Sequence, residues 1–147
     1  MKKIVIFFIG AIVLLLSSCS DIVNYSINDR VEELNKKCPI SLEFFDEITK
    51  VEYRDGVISF YVTYDETKFN NSKLRNLIQN DRKFRKACVS FCLSNNIVKE
   101  VLLDHVTETM VKEVNLSFRV ILIGLNSNEE FEVDAIWEEL RSMNYQY

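Results

Sequence analysis

The sequence predicts an α+β domain, a small antiparallel sheet of two hairpins covered by amphipathic helices. Three observations carry that prediction. Two stretches rich in β-branched and aromatic residues, Ile48 to Tyr53 and Val57 to Tyr64, flank Asp55-Gly56. That pair suits a two-residue type I′ turn, because both central positions need φ > 0. Between Val114 and Ile123 apolar and polar residues alternate at first, as in a strand with one buried face. The other apolar residues recur mostly at helical spacing. With 147 residues, 48% of them hydrophobic, and only 3 Gly and 1 Pro, the chain has the size of one domain and the side chains for a core.

The elements follow in order. Ser26 can cap a helix from Ile27 to Lys37, with Ile27, Val31 and Leu34 on one face. Pro39 stops it, having no N–H to donate and a ring that clashes with the preceding turn. In the second strand of the first hairpin, Ile58, Phe60 and Val62 share a face. Asn71 or Ser72 then caps a helix carrying Leu74, Leu77 and Ile78, and Asn80-Asp81 breaks or re-caps it. Phe84, Ala87, Cys88, Phe91 and Cys92 give the next helix its stripe. After the loop Ser94-Asn95-Asn96, a further helix shows Val98, Val101, Leu102 and Val106. The alternating strand follows. Asn126-Ser127-Asn128 turns the chain into a short edge strand, Glu130 to Val133, whose charge discourages further pairing. Asp134 is placed to cap a last helix with Ile136, Trp137 and Leu140.

The N-terminus carries a different signal. Lys2 and Lys3 precede an apolar run, Ile4 to Leu16. As a helix that run spans roughly 20 Å, short of the ~30 Å hydrocarbon core of a bilayer. It has the build of a signal peptide. Leu16-Ser17-Ser18-Cys19 puts leucine at −3, where ordinary signal peptidase wants a small residue. With small residues at −2 and −1 and cysteine at +1, the segment resembles the lipobox of bacterial lipoprotein precursors. The resemblance implies a signal peptide over 1–18, cleavage before Cys19, and a diacylglyceryl thioether on its sulfur, usually with acylation of the new amino group. Two or three acyl chains anchor durably where one does not. Residues 19–26 are then the lipidated cysteine and a tether, and 27–147 a single domain. Ser20 after the cysteine favours the outer membrane or cell surface over inner-membrane retention. Asn35-Lys36-Lys37-Cys38-Pro39 before a hairpin is also similar to the opening of small lipoproteins to which no chemistry attaches.

Candidate chemistry inside the domain is sparse. Cys38 can bridge to Cys88 or Cys92 in an oxidising envelope, which would restrict the unfolded chain by about 2–4 kcal/mol; the alternative is three buried thiols packing as small hydrophobes. Cys88-x₃-Cys92 lacks the further ligands of structural zinc, so no metal and no cofactor is expected. His105 is the only histidine and no spacing ties it to a cysteine; it borders an apolar helical face and is expected as a boundary residue there rather than as a catalyst. No glycine-rich phosphate loop and no nucleophile elbow occurs, and no catalytic residue is singled out. Lys73, Arg75, Arg82, Lys83, Arg85 and Lys86 crowd two adjacent helices while the C-terminal third is acidic. That is a candidate basic surface for anionic headgroups or an acidic partner, against the simpler reading of solubilising charge. A net charge of −4, more negative once Lys2 and Lys3 leave with the leader, argues against nucleic acid as a partner.

The expectation is therefore a non-enzymatic envelope module, held to a membrane through Cys19 and binding an envelope partner. The alternatives are an immunity or inhibitor lipoprotein and, last, an envelope hydrolase using scattered carboxylates.

Overall fold

The computed structural model describes the backbone of residues 2–141 and the side chains of residues 19–141. It holds a five-stranded sheet and six α-helices. The helix α1 (Lys2–Asn35) leads into β1 (Ile40–Ser41), β2 (Glu47–Arg54) and β3 (Val57–Tyr64). Helices α2 (Asn71–Asn80), α3 (Arg82–Leu93), α4 (Asn96–Val101) and α5 (Glu108–Val114) follow, with a 3₁₀ turn at Leu103–His105. The strands β4 (Ser117–Gly124) and β5 (Glu130–Ile136) and the short α6 (Trp137–Arg141) complete the described chain.

The α+β class and both hairpins are as expected. Asp55 and Gly56 take φ of 52° and 79°, as the type I′ turn demands, and β2 pairs antiparallel with β3 from Glu47↔Thr63 to Arg54↔Val57. The strands β4 and β5 form the second antiparallel pair. The sheet is nevertheless mixed. Its order is β1-β2-β3-β4-β5, and β3 lies parallel to β4, Val57 beside Ser117 through Tyr64 beside Gly124. A parallel neighbour needs a long crossover, and α2 to α5 supply it.

One face of the sheet is closed by helices. Ile58, Phe60, Val62 and Tyr64 of β3, Phe118, Val120 and Leu122 of β4, and Phe131, Val133 and Ala135 of β5 are buried. Against them pack Ile27, Val31 and Leu34 of α1, Leu74 of α2, Cys88, Val89, Cys92 and Leu93 of α3, and Val98 and Val101 of α4. The alternate residues of β3 and β5, such as Tyr61, Glu132 and Asp134, face away.

Four expectations are corrected. Residues 20–26 are not a loose tether: α1 runs unbroken through them, since no Gly or Pro interrupts the sequence from Cys19 to Asn35. Ser26 accordingly lies inside the helix and caps nothing. The helix expected after Asn96 is divided into α4, the 3₁₀ turn and α5, with Thr107 accepting from Met110 N–H to start α5. Asp134 does not cap α6; it belongs to β5, which runs on to Ile136, and it binds Arg119 across the sheet at 2.7 Å.

Caps were otherwise foreshadowed by sequence. Asn70, one residue ahead of the expected pair, accepts from Lys73 N–H, Asp81 from Phe84 N–H, and Asn95 from Ile97 N–H. One side chain bridges elements in a strand-like manner: Asn35 Nδ2 donates to Val51 O at 2.6 Å and its Oδ1 accepts from Val51 N–H at 2.8 Å.

Candidate interaction site

Two depressions lie on either side of the turn where α3 hands over to α4, and share Ser94 and Asn96 as a common wall. The larger, of about 520 Å³, is floored by Leu93, Leu103, Trp137 and Leu140 and rimmed by Lys99, Asp104 and Arg141. The smaller, of about 260 Å³, lies among Leu42, Glu43, Phe91 and Asn95.

The turn between them is held by Asn95. Its Oδ1 caps α4 while its Nδ2 donates to Ser41 O at 3.1 Å, so one amide fixes the helix corner against β1. Ser94 Oγ donates back to Phe91 O at 3.3 Å. Beside this corner stands a group of rings. Phe44 stacks on Phe91 with centroids 4.7 Å apart and planes 11° from parallel. Phe45 meets Phe44 edge-on at 5.1 Å, and Phe69 contacts both. Phe45 is buried, but Phe44 and Phe91 keep 39% and 38% of their surface exposed, unusual for two stacked phenylalanines. These rings flank the ends of β2 and β3 that carry Glu47 and Tyr64. Asn24 of α1, which accepts from the Tyr53 hydroxyl, lies toward the other end, near the hairpin tip.

No periodicity in the sequence marks these rings or these depressions. The available signal was Phe44-Phe45, two adjacent aromatics in a segment with neither helical nor strand periodicity. What brings Phe69 and Phe91 to them is tertiary.

The residues singled out from sequence are placed as follows. Cys19 is exposed on α1; the lipobox side chains Leu16, Ser17 and Ser18 lie outside the described side chains. Among the described residues no cysteine is bridged. Cys38, half-buried, directs its thiol to Leu34 O at 3.7 Å, so the bridge to Cys88 or Cys92 is not made in this structure. Burial pushes the Cys88 thiol up to about 12 and raises that of Cys92 further; burial and then the charge of Glu47 raise that of Cys38. Such thiols are poor nucleophiles. No group of metal-ligating side chains occurs among the described residues. His105 is exposed in the 3₁₀ turn.

The six basic residues do not act alike. Arg75 is paired with Glu129 and stands 5.7 Å from the ring of Phe131. Arg82 is paired with Glu139, toward which Lys86 also contributes. Arg85 donates to Ile78 O and Gln79 O, closing the end of α2. Lys73 and Lys83 are exposed. The charge separation evident along the sequence thus folds into pairs between α2 or α3 and the acidic C-terminal third.

One carboxylate was not anticipated. Glu66 accepts from the N–H groups of Asn126 and Ser127 at 2.6 and 3.1 Å and from the Ser127 hydroxyl. These donors lower its pKa to about 2. It fastens the β4–β5 loop to the end of β3.

Among the described residues no helix is long and apolar enough to cross a membrane. No protein-family model matches the chain, and no curated protein matches it by sequence. Solved structures do match. The pilotin of the type 2 secretion system of Vibrio vulnificus is similar with a TM-score of 0.52 at 11% identity, over 84% of this chain and 96% of that one. A protein of Pseudomonas aeruginosa described as secreted aligns with a TM-score of 0.48 at 9% identity, over 81% and 96%. At such identity the pilotin shares the fold, and the fold alone, with this chain.

Proposed function

We propose that this chain is a lipid-anchored protein of the bacterial envelope that binds a protein partner and catalyses no reaction. The anchor is a lipid on Cys19, and the partner contributes an apolar segment to the larger depression, lined by Leu93, Leu103, Trp137 and Leu140 and adjoining the one beside Phe91. The observation that carries this reading is the lining of that depression. Its floor is aliphatic and aromatic, and its charged residues stand at the rim, the anatomy of a recognition surface. The fold shared with a pilotin of a type 2 secretion system is compatible with a role in association.

Site-directed photo-crosslinking in native membranes tests it. A crosslinking side chain at Leu103 is expected to give one discrete adduct, and the same side chain at exposed Arg54, on the hairpin tip, none. Leu103→Glu is expected to abolish an adduct formed from position 91 while leaving the circular dichroism spectrum unchanged. Equal labelling from positions 103 and 54 would remove the groove as the binding surface. Mass spectrometry of the mature protein tests the anchor separately, since an unmodified thiol at Cys19 would rule it out.

A further inference from the structure

We propose that the two helical turns following Cys19 lie in the headgroup layer of the bilayer, with Ile22 and Tyr25 turned into it. The inference rests on the lipid anchor just proposed and adds to it an orientation and a second membrane contact.

The helix α1 carries two distinct apolar stripes. Val23, Ile27, Val31 and Leu34 face the domain; the last three are fully or almost fully buried and Val23 packs against them. Cys19, Ile22 and Tyr25, at i, i+3 and i+6, fall on a neighbouring face, with Ile22 about 100° around the helix from Val23. Nothing from the domain covers them: Ile22 is 67% and Tyr25 75% exposed, the two most exposed large apolar side chains described.

The bilayer is the occupant because of what sits next to them. A lipid on the sulfur of Cys19 holds this face at the boundary between acyl chains and headgroups. At about 1.5 Å rise per residue, Ile22 and Tyr25 stand roughly 4.5 and 9 Å along the axis from that point. Apolar side chains of interfacial helices enter this zone to a depth of about 5–10 Å. A tyrosine, with an apolar ring and a polar tip, is suited to headgroup depth. The first fully buried residue, Ile27, comes just beyond this zone, where the domain takes over. Because α1 is continuous, its entry into the headgroups fixes how the body stands over the membrane.

Brominated lipids test the placement. The full-length precursor is processed in bacteria, and the purified mature protein, its lipid verified by mass, is reconstituted into phosphatidylcholine vesicles. Two variants are compared, Tyr25→Trp and Asn28→Trp, the latter exposed on the same side of α1 as Tyr25 but roughly 13.5 Å along the axis from Cys19, beyond the headgroup zone; Trp137 is common to both. With acyl chains brominated near the headgroup, Tyr25→Trp is expected to lose emission and Asn28→Trp to match the parent protein. Lipidated protein in which both variants are unquenched, or both equally quenched, would overturn this inference and leave the anchor intact. Protein without lipid on Cys19 would overturn both.

Discussion

The β2–β3 hairpin and the β4–β5 hairpin reach the same antiparallel pairing by different means. The first closes through its own turn: two residues, Asp55 and Gly56, both at positive φ, while the distant side chains that reach this hairpin, Asn24 and Asn35, bind its strand residues Tyr53 and Val51. The second needs a longer loop, and that loop is tied down from elsewhere. Glu66, at the end of β3, accepts two of its backbone N–H groups, while Glu129 receives Asn71 Nδ2 at 2.7 Å and Arg75 from α2. Local turn chemistry can be read along a sequence; a latch of this kind exists only once residues some sixty positions apart have met.

The largest effects should come where the two hairpins share a core. Phe60 in β3 is fully buried and Phe131 in β5 remains 8% exposed. Phe60→Ala is expected to cost about 3–5 kcal/mol in urea unfolding, as for other buried aromatics, and Phe131→Ala less. Equal losses would mean that the second hairpin bears as much of the core as the first.

Next comes the first turn. A Cβ on Gly56 would stand 2.5 Å from Val114 O, at φ +79°. Gly56→Ala is expected to cost about 1–3 kcal/mol from backbone strain alone, read as a lower denaturation midpoint. Neither strand pair would be broken by it, so the loss should be global, with no loop selectively opened.

Glu66→Gln should behave in the opposite way. It is expected to raise amide exchange at Asn126 and Ser127 while leaving the global midpoint almost unchanged, because a partly exposed loop contact opens locally. Acid should mimic it. A carboxylate whose folded pKa lies at about 2 against an ordinary 4.5 stabilises the loop fully above the higher value. That contribution is lost as pH falls from there through about 2. Protection at Asn126 that persists below that window would rule out the latch.

The smallest expected response is that of the thiols in α3. Cys88 and Cys92, buried and with raised pKa, should resist alkylation in native protein and react only on unfolding. Glu66→Gln should leave their rate unchanged and Phe60→Ala should raise it. Full denaturation without reductant should release Cys38 together with them; a single free thiol would instead show that the bridge from Cys38 forms in the cell.

Most of the fold was legible because its signals were local. The period-2 pattern of β3, the Asp-Gly turn, the stripe of α3 and the polar residues ahead of each helix all act within a few residues. The parallel seam between β3 and β4 was not legible, since nothing in either strand specifies which neighbour it takes after four intervening helices. Asp134 was misplaced for a related reason. Its acid group before an apolar run looks like a helix cap, and only Arg119, on the adjacent strand, makes it a cross-strand partner. The candidate site was hardest to read. Phe44 and Phe91 are forty-seven positions apart, and their stacking depends on how β1 and α4 are joined by Asn95.

The paired contacts of Asn35 with Val51 bear on how copies of the chain meet one another. Beyond Ile48 no strand among the described residues lies on the outer side of β2, because β1 is only two residues long. There the amide of Asn35 occupies both the N–H and the C=O of Val51, in effect a one-residue imitation of a missing neighbour. An open strand flank presents unpaired N–H and C=O groups on which a second copy of the chain could add a strand. The last residue of α1 therefore blunts the stretch of β2 that β1 leaves bare.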